Sequence, residues 1–144
     1  MEYLVLDPAT GPNATHTNDH IARFLEDHLD QFGDKKEDIL KCLAYAFDQR
    51  RGGFVVLAME DGAILGAVVV NLTGMDGYIP ENILVYIAVD RNQRGRGLGK
   101  GLMGKAIEKA KGSIALHVEP DNPAKKLYEA LGFTNKYLEM RLLR

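Results

Sequence analysis

The sequence predicts an α/β domain: one mixed central β-sheet with helices on both faces, in the order β-αα-βββ-α-β-α-β. Apolar runs bounded by Gly, Pro, Asn and Asp mark the strands, and stretches with apolar residues at i, i+3 and i+4 mark the helices. Only residues 83–118 have the strand–helix–strand order of a parallel crossover. The chain has 144 residues, 46% hydrophobic and 26% charged, enough for one core and too short for two well-formed ones. Residues 1–144 are therefore read as a single domain.

The elements follow in order. Tyr3–Leu6 is a short strand ended by Asp7-Pro8, and Ala9–His16 is a loop. Thr17 is the expected N-cap of a first helix whose apolar face is Ile21, Phe24, Leu25, His28, Leu29 and Phe32, stopped by Gly33. Asp34-x-x-Glu37 has capping-box spacing, opening a second helix with inner residues Ile39, Leu40, Leu43, Ala46 and Phe47. Gly52-Gly53 closes it. Strands Phe54–Met59 and Ala63–Leu72 flank Glu60-Asp61-Gly62, and Asp-Gly between apolar runs signals a hairpin. After the segment Thr73–Glu81 come the strand Ile83–Val89, a helix from Leu98 to Lys111 and a strand Ser113–Val118. A helix Pro123–Leu131, ended by Gly132, and a last strand Tyr137–Leu142 complete the order.

Composition narrows the function classes. No apolar run approaches the ~20 residues of a membrane span, and the N-terminus lacks a basic leader, so membrane and secretory classes are disfavoured. A lone cysteine, Cys42, has no disulfide partner, and no Cys/His cluster has metal spacing, so a cytoplasmic protein without a metal is expected. Net charge is −2, which disfavours nucleic acid as a partner. The halves differ: residues 1–61 hold 12 acids against 6 bases, and residues 62–144 hold 8 against 12. Such a domain suits two ligands of opposite charge.

The most informative segment is residues 91–101, RNQRGRGLGKG. It leaves a strand, crosses a basic loop with alternating glycines and enters a helix. Unpaired N–H groups at a helix N-terminus attract anions. Gly95, Gly97 and Gly99 let backbone approach phosphate oxygens, and Arg94, Arg96 and Lys100 add positive charge. Gly99-x-Gly101-x-x-Gly104 also spells the dinucleotide fingerprint, but it does not follow a strand directly and the preceding strands read as antiparallel. A Walker loop requires Ser or Thr after its lysine, whereas Lys100 is followed by Gly101.

Arg94-Gly95-Arg96-Gly97-Leu98-Gly99 fits the [QR]-x-x-G-x-[GA] signature of the GNAT superfamily of acyl-CoA-dependent N-acetyltransferases, which the chain resembles. The resemblance extends through LHVEPDNPAKKLYEALGF, residues 116–133, similar to that family's second block. Together the blocks and the preceding strand span residues 83–133. The spacing from Asn122 to Tyr128 is one residue shorter than usual, so either Asn122 or Asp121 takes the family's asparagine place.

The resemblance implies acetyl-CoA as co-substrate. Its diphosphate would rest on amides from Arg94 to Lys100 (Arg94, Gly95, Arg96, Gly97, Leu98, Gly99 and Lys100). Its pantetheine arm would pair with the backbone of Ile87, Ala88 and Val89, and Asn122, Lys125 and Tyr128 would complete the donor site. Tyr128 matches the family's general acid, which protonates the leaving thiolate. The Val89 amide is the candidate oxyanion donor. For the base that deprotonates the amine, Glu81 and His117 stand ahead of Asp76 and Glu119, and His117 has a suitable unperturbed pKa, ~6.5. His28 reads as a helix-face residue. The acidic N-terminal half would border the acceptor, which favours a cationic amine: a small molecule, a lysine side chain or a peptide N-terminus. The alternative class is a CoA-binding sensor without turnover. The segment Tyr137–Leu142, read as an edge strand, invites pairing with another chain, which makes a homodimer the working hypothesis.

Overall fold

The computed structural model describes all residues, 1–144. In chain order the elements are β1 Glu2–Leu6, α1 Asn18–His28, a 3-10 turn Asp30–Phe32, α2 Lys36–Phe47, β2 Gly53–Glu60, β3 Ala63–Leu72, β4 Asn82–Val89, α3 Leu98–Lys109, β5 Ile114–Leu116 and α4 Ala124–Ala130. The five strands lie in sequence order in one sheet. β1 to β4 pair antiparallel and β5 joins β4 in parallel, so residues 83–118 supply the single crossover. The Asp61-Gly62 turn has positive φ at both residues (52° and 79°), the mirror-image turn that suits strand twist.

Two cores form, one on each face of the sheet. On one face α1 and α2 bury Ile21, Leu25, Ile39 and Leu43 against Val55, Leu57, Val69 and Tyr86. On the other α3 and α4 bury Leu98, Leu102, Met103 and Tyr128 against Val56, Val68, Val70 and Leu84. The helices thus cover both faces, as the sequence predicts. No helix is long and apolar enough to cross a membrane.

β4 carries the feature that shapes the site. Against β3, Leu84 opposes Val70 and Tyr86 opposes Val69, so Val85 has no opposite residue. This bulge inverts the alternation of faces: Leu84 packs with α3 and α4, whereas Tyr86 and Ala88 pack with α1 and α2. A bulge bends its strand. Pairing with β5 stops here too, the last pair being Leu84 with Leu116.

The structure corrects several boundaries. Thr17 caps α1 as expected, its Oγ1 accepting from the His20 amide at 3.2 Å. However, α1 ends at His28 because Asp30 takes a positive φ of 55° and starts the 3-10 turn. The Asp34–Glu37 capping box does not form. Lys35 is the cap, with no side-chain bond; the Lys36 amide donates to Glu26 Oε2 at 2.8 Å, and the Asp34 carboxylate accepts from the Tyr86 hydroxyl at 2.6 Å. A charge-assisted bond from the buried Tyr86 phenol outcompetes a local cap. α3 stops at Lys109, ahead of Gly112 at φ 90°, and β5 keeps only three residues.

The last strand, Tyr137–Leu142, is absent from the fold, so the observed order ends at α4. Its apolar residues stand in solvent, Tyr137 79% and Met140 91% exposed. A three-residue β5 offers too short an edge to hold a further strand by itself.

Candidate functional site

A cavity of about 750 Å³ opens where β4 leaves β5. Its walls are the residues that end α1 and follow it (His28–Phe32), the loop and first turn of α3 (Arg94, Gly95 and Gly97 to Lys100) and the start of α4 (Asp121–Ala124, Leu127, Tyr128), over Ile87, Ala88 and Val89. Residues far apart in sequence meet because β4 lies in the sheet interior with a crossover helix beside it.

The loop supplies donors. None of the amides from Arg94 through Lys100 has a hydrogen-bond acceptor in the protein; the first paired amide is that of Gly101, to Gly97 O at 3.0 Å. Gly97 caps α3 in the left-handed region, φ 79°, and a Cβ built there would meet nothing within 4 Å. Open space above unpaired amides is what an anion needs. Gly101 has a different reason: a Cβ there would lie 1.9 Å from the Tyr3 hydroxyl, so this glycine lets α3 lie close to β1. The apparent dinucleotide fingerprint therefore includes a packing glycine.

The strand supplies a second set of donors. Asp90 N–H donates to Leu65 O at 2.8 Å. In an antiparallel ladder the bonding direction alternates, so the Ile87 and Val89 amides turn away from β3 toward the open side. The Val89 carbonyl accepts from Arg94 Nε at 3.4 Å.

Tyr128 lines the cavity from α4, 6% exposed, its ring tilted against Phe133 with centroids 6.0 Å apart. Burial pushes its hydroxyl up to about 12, so the phenol keeps its proton across the neutral range and can donate it. Asp121 and Asn122 both line the cavity. The Asn122 Oδ1 accepts from the Ala124 amide at 2.9 Å, fixing the start of α4.

A cluster that the sequence pattern did not show joins two walls. The Asp30 carboxylate accepts from Arg91 Nη2 at 2.9 Å and Arg94 Nη2 at 3.3 Å. Arg94 Nη2 also donates to the His28 carbonyl at 2.9 Å, and Arg91 Nη2 to the Asp27 carbonyl, so both arginines cap the end of α1. The hydrogen bond from Arg91 holds the Asp30 carboxyl below the usual carboxylate range, with Arg94 adding to it. His28 Nδ1 accepts from the Arg91 amide at 3.2 Å and its ring packs on Phe24. These contacts span some sixty residues of sequence, beyond the reach of any local motif.

Other predicted residues lie outside the lining. Arg96 turns to Gln93 and Glu60, the latter at 3.1 Å, and neither it nor Lys125 lines the cavity. Glu81 precedes β4 at the end opposite Val89. It accepts from the Ser113 amide at 2.8 Å and the Gly77 amide at 3.4 Å, which hold its carboxyl below the usual range. His117 is exposed just beyond β5. Neither Glu81 nor His117 is part of the wall.

Comparison with known proteins agrees with this geometry. The profile of the acetyltransferase (GNAT) family matches residues 17–133. Among solved structures, the chain is similar to the aminoglycoside N-acetyltransferase AAC(6')-Iy in complex with CoA, with TM-score 0.71 and 20% identity over 99% of this chain and 93% of that one. It is also similar to a ribosomal-protein-alanine N-acetyltransferase from Brucella melitensis biovar Abortus 2308, with TM-score 0.64 and 19% identity over 100% and 99%. A transcriptional regulator from Bacillus halodurans matches with TM-score 0.70 and 18% identity over 99% and 100%. No curated protein matches the chain.

Proposed function

The chain belongs to the acetyltransferase (GNAT) family, and we propose that it moves an acetyl group from acetyl-CoA to a primary amine by direct attack with both substrates bound. The observation that carries this reading is the row of unpaired amides from Arg94 to Lys100, set beside the unpaired flank of β4 in one cavity. The first suits a diphosphate. The second suits an amide-bearing arm that adds to a strand edge.

Bound there, acetyl-CoA supplies a thioester carbonyl open to attack. The Val89 amide is assigned to the developing oxyanion, since it points into the gap. Tyr128 is assigned to the thiolate as general acid: it is buried, protonated at neutral pH and on the wall facing β4. Ile87 and Val89 orient the arm through backbone. The proton of the amine has no carboxylate or imidazole of Glu81 or His117 on the wall to receive it. In this reading it leaves through solvent in the cavity mouth, and Glu81 and His117 act at most through water.

The acceptor we propose is cationic. The first 61 residues, whose helices α1 and α2 cover one face of the sheet, carry the acidic excess. A small-molecule amine and a peptide or protein amine both fit this charge. Self-association is part of the proposal as well: Leu138, Met140 and Leu142 alternate with Glu139 and Arg141 in an exposed segment, a pattern that pairs with a second sheet. A monomeric mass at micromolar concentration in sedimentation would remove the homodimer.

The test is thiol release from acetyl-CoA over a panel of cationic and neutral amines, run beside thermal unfolding with CoA, ATP and NAD. Release with a cationic amine and stabilisation by CoA alone is the expected result. A ligand at 100 times its Kd adds about 2.7 kcal/mol. CoA binding with no release across the panel would replace the enzyme with a CoA sensor, and stabilisation by ATP or NAD instead would remove the acyl-transfer reading.

A further inference from the structure

We infer that Asp30 is an internal counter-anion for Arg94, which the cofactor's diphosphate must displace and which therefore weakens the hold of the site on CoA. The inference rests on the proposed donor and adds a residue that lies outside the loop motif.

Four observations lead to it. Asp30 adopts φ 55°, a region that L residues other than Asn and Asp seldom enter, and the carboxylate it presents reaches across to the donor loop. Of the two cations lining the cavity, Arg94 and Lys100, Arg94 is paired with a carboxylate whereas Lys100 has no ion pair within 4.0 Å. Arg94 begins the row of unpaired amides, so an anion seated on that row arrives beside its guanidinium. Finally, Arg94 and Asp30 are about half and one-third exposed, and exposed pairs are weak. A ligand with two phosphate charges can take the guanidinium from such a pair.

The consequence concerns both donor and product. The diphosphate is common to acetyl-CoA and CoA, so a charge that opposes it lowers affinity for both equally and leaves the chemical step untouched. Asp30 in this role speeds release of CoA after transfer. It also ties donor occupancy to the turn 30–32, because that turn is held to the loop through Arg94 and Arg91.

The experiment measures CoA and inorganic pyrophosphate affinity by calorimetry at low and physiological salt for wild type, Asp30→Asn and Asp19→Asn. Asparagine tolerates the positive φ, and Asp19→Asn makes the same charge change on α1 away from the cavity. Asp30→Asn is expected to bind both ligands about three- to tenfold tighter at low salt, with a smaller gain at higher salt, as a removed neighbouring charge requires. Asp19→Asn should match wild type. Adding Arg94→Ala to Asp30→Asn should reduce the gain below about twofold, and in turnover Asp30→Asn should lower the acetyl-CoA KM and the CoA inhibition constant together. If Asp30→Asn does not fold, Asp30→Gly keeps the turn without the carboxylate. Unchanged or weaker pyrophosphate affinity in the variant overturns the inference. Wild type that binds pyrophosphate but not CoA, with the gain present for pyrophosphate, would instead overturn the CoA reading and keep Asp30 as the counter-anion.

Discussion

The two halves of β4 differ. Asn82 to Leu84 are paired on both sides, with β3 and with β5, whereas Tyr86 to Val89 are paired with β3 alone. The first half is anchored by the buried Asn82, whose Nδ2 donates to the Lys111 carbonyl at 2.7 Å and the Ser113 carbonyl at 3.2 Å. The second half ends in the cavity. One unopposed residue, Val85, separates them. The same strand thus has its polar backbone paired on both sides at one end and on one side only at the other, and under the proposed function variants at the two ends should fail in different ways.

The largest effect is expected at the open end. Tyr128→Phe keeps the ring and its packing on Phe133, so stability and acetyl-CoA affinity should hold while kcat falls by about 10²–10⁴, the usual span for general acid catalysis. A wild-type rate of thiol release with a proven amine would return Tyr128 to packing alone. Its pH signature is also defined: with the hydroxyl raised to about 12 by burial, Tyr128 should still be protonated at pH 10, where exposed tyrosines are half ionised. Between those values the unfolded chain ionises first, so the folded state loses stability as pH rises.

Next comes the loop. Gly97→Val places a β-branched residue at φ 79° with its side chain over the amides, at a strain cost of about 1–3 kcal/mol. Calorimetry should show acetyl-CoA binding lost, with circular dichroism of the fold retained. Full affinity in that variant would break the distinction between the two halves, since the open end would then not be where the donor binds. Arg96→Ala, whose side chain lies off the wall, should weaken binding only slightly.

At the closed end, Asn82→Ala removes both anchoring bonds from a buried position and should cost about 1–3 kcal/mol in denaturant unfolding. Its kcat under folding conditions should stay near wild type. A variant that lost turnover with unchanged stability would show that the two ends are not independent.

The smallest effect belongs to Glu81. Its carboxyl is lowered by the Ser113 amide first, with the Gly77 amide also contributing. A lowered folded value gives stability that is full above the ordinary glutamate range and lost as pH falls through the lower value. Wild type should therefore lose more stability than Glu81→Gln between pH 5 and 3. In the same variants, kcat/KM profiles should keep their low-pH limb for both Glu81→Gln and His117→Ala. Loss of that limb in either would reinstate it as the base.

Much of this was legible beforehand, because the determining interactions are short in sequence. The hairpin follows from Asp61-Gly62, the α1 start from Thr17 and the cradle from glycines and bases in one loop. Helical periodicity assigned the buried faces of α1 and α2. The exceptions are also physical. The capping box at Asp34 lost to the Tyr86 hydroxyl, which no local pattern could place within 2.6 Å. The segment Tyr137–Leu142 has strand composition but no long edge to join, and a strand exists only with its partner.

The sequence by itself determined the mixed sheet up to α4, the crossover between residues 83 and 118 and the glycine-rich loop that opens α3. Those rest on backbone conformational preference and apolar spacing, which act over a few residues. Only the tertiary structure decided where β4 parts from β5, that Tyr86 and Leu84 face opposite cores across the Val85 bulge, and that Asp30 holds Arg94. These depend on register between strands and on side chains more than sixty residues apart meeting. Contacts of that range are set by the packing of the whole sheet against its helices, and no window along the chain contains them.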